Sequence, residues 1–238
     1  MKKGEFLYEG KAKKIWASEN KGRYIIEYKD DLTAFNAEKK ATMEGKGALN
    51  NAISAYLLGY LNSKGVPTHF LEAVDERHQI VKAVKIVPLE VVLRNITTGS
   101  LCRRLGVEES LQLPRPLVEF YLKDDALGDP LVTEDHALLF GWATREELDT
   151  MKVLTLKVND LLRELFEKHG IVLVDFKLEF GRTEEGELVV ADEISPDTCR
   201  FWDRSTGDRL DKDRFRKDLG DVLGAYREIW RRLSTEEA

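Results

Sequence analysis

Asp175, Lys177 and Glu179 alternate with Phe176, Leu178 and Phe180 within residues 174–181. Side chains two apart in a strand point the same way, so acid, base and acid share one face. A polar stretch with a turn glycine, Arg182-Thr183-Glu184-Glu185-Gly186-Glu187, precedes a second apolar run that ends in Asp192-Glu193-Ile194. The pattern predicts a hairpin. With Glu185-Gly186 as a two-residue loop, Glu179 stands directly opposite Asp192, their Cβ atoms about 5 Å apart. Two carboxylates at that separation repel by roughly 3 kcal/mol at an effective dielectric near 20. A cation belongs between them, and oxygen-only ligands suit magnesium. A longer loop would shift the register and spoil the pairing, and a solvated face balanced by Lys177 would use the same residues.

Two further constellations suit phosphate. Gly10-Lys11-Ala12-Lys13-Lys14 sets a glycine and a lysine cluster between two strand-like runs, without the GxxxxGK[ST] spacing of a Walker loop. Glycine lets a backbone approach an anion and lysine neutralises it, although a basic hairpin tip reads the same. Arg94-Asn95-Ile96-Thr97-Thr98-Gly99-Ser100 reads as a strand end, a polar loop and a helix beginning near Ser100. Free amides at the helix start and a bidentate Arg94 would hold phosphate, and a plain serine cap is the alternative. Ser195-Pro196-Asp197 then makes a rigid turn beside the acidic pair, with Arg200 close behind. Lysines, an arginine beside a helix start and paired acids are the parts ATP needs if its phosphoryl group is to reach a second phosphorylated substrate.

The elements that must position these groups are mixed. Residues 5–9, 13–18 and 23–29 read as strands, and residues 47–63 carry a helical stripe of Leu49, Ile53, Tyr56, Leu57, Tyr60 and Leu61 ended by Gly65. Residues 79–87 and 89–96 read as two strands parted by Pro88, which cannot donate to a ladder and suggests a break or hinge there. Thr144-Arg145-Glu146-Glu147 predicts a capping box opening a long helix that ends before Gly170. A last helix is expected over residues 212–233, with Phe215, Leu219, Val222, Leu223, Tyr226 and Ile229 on one side. The division expected is a strand-rich lobe over 1–87 and a larger α+β lobe over 88–238.

Bulk properties narrow the classes. The 238 residues suffice for one large domain or two small ones. A formal charge of −6 argues against a protein built to hold nucleic acid or an anionic membrane. No apolar run approaches the ~20 residues of a membrane span, and the start, Met1-Lys2-Lys3-Gly4-Glu5, leads into a strand rather than a signal core. Cys102 and Cys199 form no disulfide framework, so a reducing cytoplasm is expected. His69, His78, His136 and His169 lack metal-ligand spacing, so zinc is not expected.

Two runs, Ile86-Val87-Pro88-Leu89-Glu90-Val91-Val92-Leu93-Arg94-Asn95-Ile96-Thr97-Thr98-Gly99-Ser100 and Leu173-Val174-Asp175-Phe176-Lys177-Leu178-Glu179-Phe180-Gly181, resemble signatures of the SAICAR synthetase family. Tyr8-Glu9-Gly10-Lys11-Ala12-Lys13, Lys46-Gly47 with Asn50-Asn51, Asp129-Pro130 and Asp192-Glu193-Ile194-Ser195-Pro196-Asp197 are similar to it as well. The resemblance implies an α+β fold whose strand-rich N-terminal nucleotide-binding lobe is related to those of protein kinases and ATP-grasp enzymes. It implies an ATP-dependent ligase of purine biosynthesis that joins L-aspartate to carboxyaminoimidazole ribonucleotide (CAIR), giving SAICAR, ADP and phosphate, with Mg²⁺ required and a homodimer common. By the same resemblance Gly10, Lys11, Ala12 and Lys13 hold the ATP phosphates, and Lys82, Val84 and Ile86 form the adenine edge. Glu179 and Asp192 ligate magnesium. Arg94, Ser100 and Arg200 bind the CAIR phosphate, Asp129 lies near CAIR, and Asp175 and Lys177 face the reacting groups. Where some members carry an acid, this chain has Asn36.

Overall fold

Short β-rich runs separated by glycines pair into antiparallel sheets, in a computed structural model that describes residues 2–34 and 38–235. Strands β1 (Lys3–Glu9), β2 (Lys13–Ser18) and β3 (Arg23–Tyr28) form a meander, followed by the small hairpin β4 (Asp31–Ala34) and β5 (Lys39–Thr42). Helix α1 (Lys46–Ser63) leads to β6 (Phe70–Ala73) and β7 (His78–Lys82), which complete a five-stranded sheet in the order β1-β2-β3-β7-β6.

The rest of the chain builds a second sheet. Its elements are β8 (Lys85–Ile96), α2 (Ser100–Leu105), β9 (Gln112–Leu122), β10 (Leu131–Val132), α3 (Glu134–Leu139), α4 (Arg145–Lys168), β11 (Ile171–Arg182), β12 (Leu188–Ala191), β13 (Cys199–Asp203), α5 (Asp213–Arg216) and α6 (Val222–Ser234). The strand order is β10-β9-β8-β11-β12, with β13 also on β11. The capping box at Thr144 forms as expected, Glu147 N donating to Thr144 Oγ1 (3.2 Å) and Thr144 N to Glu147 Oε2 (2.8 Å).

β11 is the strand that matters for chemistry. One edge pairs with β8, whereas the other changes neighbour: β13 covers Ile171 to Phe176 and β12 covers Glu179 to Arg182. Lys177 sits where the two neighbours part, its backbone amide donating to Thr198 O (2.8 Å). The predicted alternation holds. Phe176, Leu178 and Phe180 pack in the core with Val87, Leu89, Val91 and Leu93 of β8 and Met151, Val158 and Leu162 of α4. Burying each such side chain contributes about 1.5–3 kcal/mol, which fixes the register and leaves the charged face no choice of side.

Two expectations need correction. Pro88 does not break the chain: β8 runs through it, and the gap falls at Ala83-Val84. The proline sits at a register irregularity opposite β11 and just before the β9 ladder begins at Leu89, where no donor is required of it. The expected final helix is two. Asp218, Gly220 and Asp221 adopt φ of 54°, 70° and 43°, which no α-helix continues through, and the Asp221 side chain caps Gly224 N (3.1 Å) to start α6. Leu219 falls in that break and is 47% exposed, off the buried stripe.

Candidate active site

Two cavities open along the charged face of β11. The larger, about 500 Å³, lies between the sheets. Gly10, Lys11, Ala12 and Lys13 line one side of it, and Val81, Lys82, Val84 and Ile86 another, with Ile15, Tyr24 and Ile26 supplying apolar surface. Glu90, Lys123, Lys177, Glu179, Asp192 and Glu193 form its charged end. The smaller, about 160 Å³, is lined by Arg94, Asp175, Arg200 and Arg216. Lys177, Asp197 and Thr198 belong to both.

Lys177 is the hub of the larger cavity. Its ammonium meets Glu179 (2.6 Å), Asp192 (3.2 Å) and Glu90 (3.2 Å), while Lys123 meets Glu179 (2.7 Å). Lys13 bridges Asp192 and Glu193. Burial would drive the Lys177 ammonium toward neutrality, but the three carboxylates outweigh it and hold its pKa well above the usual lysine value. Burial would likewise raise Asp192, and Lys13 and Lys177 overcome that, keeping it ionised. Glu193, more deeply buried, is pushed up, since Lys13 offsets only part of the desolvation.

Glu179 and Asp192 do converge, though not by the register expected. Glu179 pairs with Ala191, because the turn holds three residues, Glu184 to Gly186, with Gly186 at φ 84°. The one-residue shift should have turned Asp192 away. Instead β12 ends at Ala191 and Asp192 takes φ 63°, a left-handed conformation that aspartate tolerates and that re-aims its side chain at Lys177. The resulting donor set is oxygen-only, from two facing segments, already spanned by an ammonium. It fits magnesium, which takes one or two carboxylates and completes its shell with water and phosphate. Among the described residues no group of three acidic, histidine or cysteine side chains forms a closed cage.

The smaller cavity centres on Asp175. Its Oδ2 accepts from Arg94 Nη1 (2.9 Å) and Arg200 Nη1 (2.8 Å). Arg94 continues to Glu119 (2.7 Å) and to Ser100 Oγ (3.0 Å), and Arg200 to Asp213 (2.9 Å). Gly99 precedes Ser100 at φ 61°, and a Cβ there would lie 2.7 Å from Arg200 Nη2. Glycine at 99 therefore leaves room for the Arg200 guanidinium beside the start of α2. Asp129 stands apart from them, lining the larger cavity and accepting from Asp124 N (3.0 Å). Asn36 lies outside the described residues.

The chain matches the SAICAR synthetase family over residues 6–233. It belongs to that family. A phosphoribosylaminoimidazole-succinocarboxamide synthase of Deinococcus radiodurans is 55% identical over 236 residues, 99% of this chain and 100% of the relative. One from Deinococcus deserti is 56% identical over 234 residues, 98% and 99% of the two chains. The crystal structure of the Ehrlichia chaffeensis synthase superposes with a TM-score of 0.95 at 48% identity, over 98% of this chain and 100% of that one. A SAICAR synthetase in complex with ADP does so with a TM-score of 0.93 at 46% identity, over 97% and 98%.

Several groups of this SAICAR synthetase-family site were given no role by the sequence, although Glu90, Lys46 and Asn50 lie in runs that resemble the family. Glu90 was legible in principle, since it shares the β8 face of Arg94 and pairs with Glu179. Lys123, just beyond β9, carries no pattern of its own. The buried face of α1 holds Lys46, Asn50 and Ser54 beside the apolar stripe. Lys46 pairs with Asp197 (2.5 Å), and Asn50 and Tyr226 also bond it (2.8 and 2.6 Å), so the Pro196 turn is clamped from two helices.

Proposed function

We propose that the larger cavity holds ATP, the smaller one the phosphate of CAIR, and that L-aspartate is joined to the CAIR carboxylate where the two meet. The chain is an ATP-dependent carbon–nitrogen ligase of purine biosynthesis. The observation that carries this reading is that Lys177, Asp197 and Thr198 line both cavities, so a phosphoryl donor and a phosphorylated acceptor would share one wall. The ADP bound by a relative of the same fold supports a nucleotide in such a cavity.

In this reading residues 1–87 form the ATP-binding lobe and residues 88–238 carry the substrate and metal sites. Gly10 to Lys13 close on the phosphates, and the backbone at Lys82 and Val84, with Ile86, borders the adenine. Arg94, Ser100 and Arg200 hold the CAIR phosphate, and Asp129, on the wall of the larger cavity, lies near CAIR. A carboxylate oxygen of CAIR attacks the γ-phosphorus of ATP and ADP leaves. The acyl phosphate formed exposes its carbonyl carbon to the aspartate amine, and phosphate departs as the amide forms. Lys177 lies where charge moves to the transferred phosphoryl oxygens and stabilises it there. Asp175 holds Arg94 and Arg200 in place. Magnesium, held by Glu179 and Asp192, would neutralise phosphate charge and orient the carboxylate. The exposed apolar side chains Leu139, Phe140 and Val153 support a homodimer contact, and the free cysteines a cytoplasmic setting.

Omitting ATP, magnesium, CAIR and aspartate in turn from an assay of phosphate release tests the assignment. Release should need all four. A small-molecule kinase on the same scaffold would turn over without aspartate, and a binding module would bind ATP and release nothing.

A further inference from the structure

Every lysine and arginine lining the two cavities has a carboxylate within 4 Å except one, among the described residues. Lys11 has Asp125 (2.6 Å), Lys82 has Glu187 (3.5 Å), Arg216 has Asp213 (2.7 Å), and Lys13, Lys123, Lys177, Arg94 and Arg200 are paired as described. Lys212 alone lines the larger cavity with its charge unmatched at that range. The geometry points to Lys212 as the residue that binds a carboxylate of the incoming amine substrate, an inference that rests on the ligase reading above.

Position supports it first. The Lys212 backbone amide donates to Pro196 O (3.0 Å), fixing the residue to the turn whose Asp197 and Thr198 line both cavities. An amine attacking a carbonyl at that seam must bring its own charges there.

Charge supports it second. Lys11, Lys13, Lys123 and Lys177 already face the proposed ATP phosphates, and Arg94 and Arg200 the CAIR phosphate. The dicarboxylate remains. Moving a carboxylate into a partly buried site is unfavourable unless a cation meets it, and Asp197, the carboxylate that acts most on the Lys212 charge, is spent on Lys46, Asn50 and Tyr226. Burial pushes the Lys212 ammonium down to about 8; Asp197 and Glu193 oppose that, and Arg216 and Lys46 add to it. The group is still charged at neutral pH, and a bound carboxylate would stabilise that charge.

Steady-state kinetics of Lys212→Gln, with each substrate varied against saturating levels of the others, tests the assignment. One lost charge-assisted hydrogen bond should raise KM for aspartate about ten- to a hundredfold, with KM for ATP and for CAIR within about twofold of wild type. Lys212→Arg should recover most of the loss. Unchanged ADP affinity by calorimetry would show that the variant is folded. The assignment fails if KM for aspartate stays at the wild-type value, or if all three KM values rise together. The wild-type control separates the two readings: turnover indifferent to aspartate sinks the ligase, whereas aspartate-dependent turnover unaltered in Lys212→Gln sinks only the role of Lys212.

Discussion

Neutralising Asp175 isolates the energetics of the smaller cavity. Its carboxylate is 3% exposed and is shared by Arg94 (2.9 Å) and Arg200 (2.8 Å). Asp175→Asn keeps the shape and one acceptor but removes the charge between two guanidiniums. At a charge separation near 4 Å and an effective dielectric near 20, each lost attraction amounts to roughly 4 kcal/mol. Against that stands the desolvation the carboxylate no longer suffers, several kcal/mol in a real protein. Glu119 and Asp213 still pair one arginine each, so neither cation is orphaned. The net expectation is a loss of about 1–3 kcal/mol, below the 3–5 kcal/mol seen where a buried charge is left without any partner. Urea unfolding followed by tryptophan fluorescence reads it as a lower midpoint with unchanged slope. Inorganic phosphate, if it binds the proposed CAIR phosphate site, should stabilise wild type and variant alike by about 2.7 kcal/mol at a hundred times its Kd. A loss below about 1 kcal/mol would refute the claim that Asp175 holds that pair together.

Three other outcomes are expected. Gly99→Ala forces a side chain into φ 61° and against Arg200, at a cost of about 1–3 kcal/mol, and should raise KM for CAIR while ADP affinity by calorimetry stays put. Asp213 is desolvated, which would raise its pKa, but Arg200 and Arg216 prevail and hold it down at about 2. A carboxyl lower in the folded than the unfolded state stabilises above its unfolded value near 3.8 and loses that contribution as pH falls toward 2, here about 2 kcal/mol. Acid unfolding of Asp213→Asn should therefore show a shallower decline between pH 4 and 2, from a lower plateau. Thr144→Ala removes the cap of α4 and should cost about 1 kcal/mol in thermal or urea unfolding, with no change in KM for any substrate.

The sequence exposed most where one face of a strand is apolar and the other charged. β11 alternates because one of its faces is core, and that alone put Asp175, Lys177 and Glu179 together. It failed where a single backbone angle decides. Whether the hairpin turn holds two residues or three, and whether Asp192 adopts a left-handed φ, are set by the surrounding fold, and the turn at Asp192 offsets the one-residue register shift to bring it back beside Glu179. Helix α1 shows another blind spot: Lys46, Asn50 and Ser54 are fully or almost fully buried for the sake of Asp197 and the neighbouring turn, so an apolar stripe cannot reveal them. Lys123 and Lys212 lie just outside regular elements, where no periodicity announces them.

Because Asp175, Lys177 and Glu179 are successive teeth of one extended strand, the spacing between the two cavities is quantised. Each step along that face is about 6.7 Å, and moving by half a step would turn core phenylalanines toward solvent. A descendant of this scaffold can therefore lengthen or shorten the gap between its two cavities only in whole pleats, so an occupant of intermediate size must be accommodated by the loops rather than by the rail beneath them.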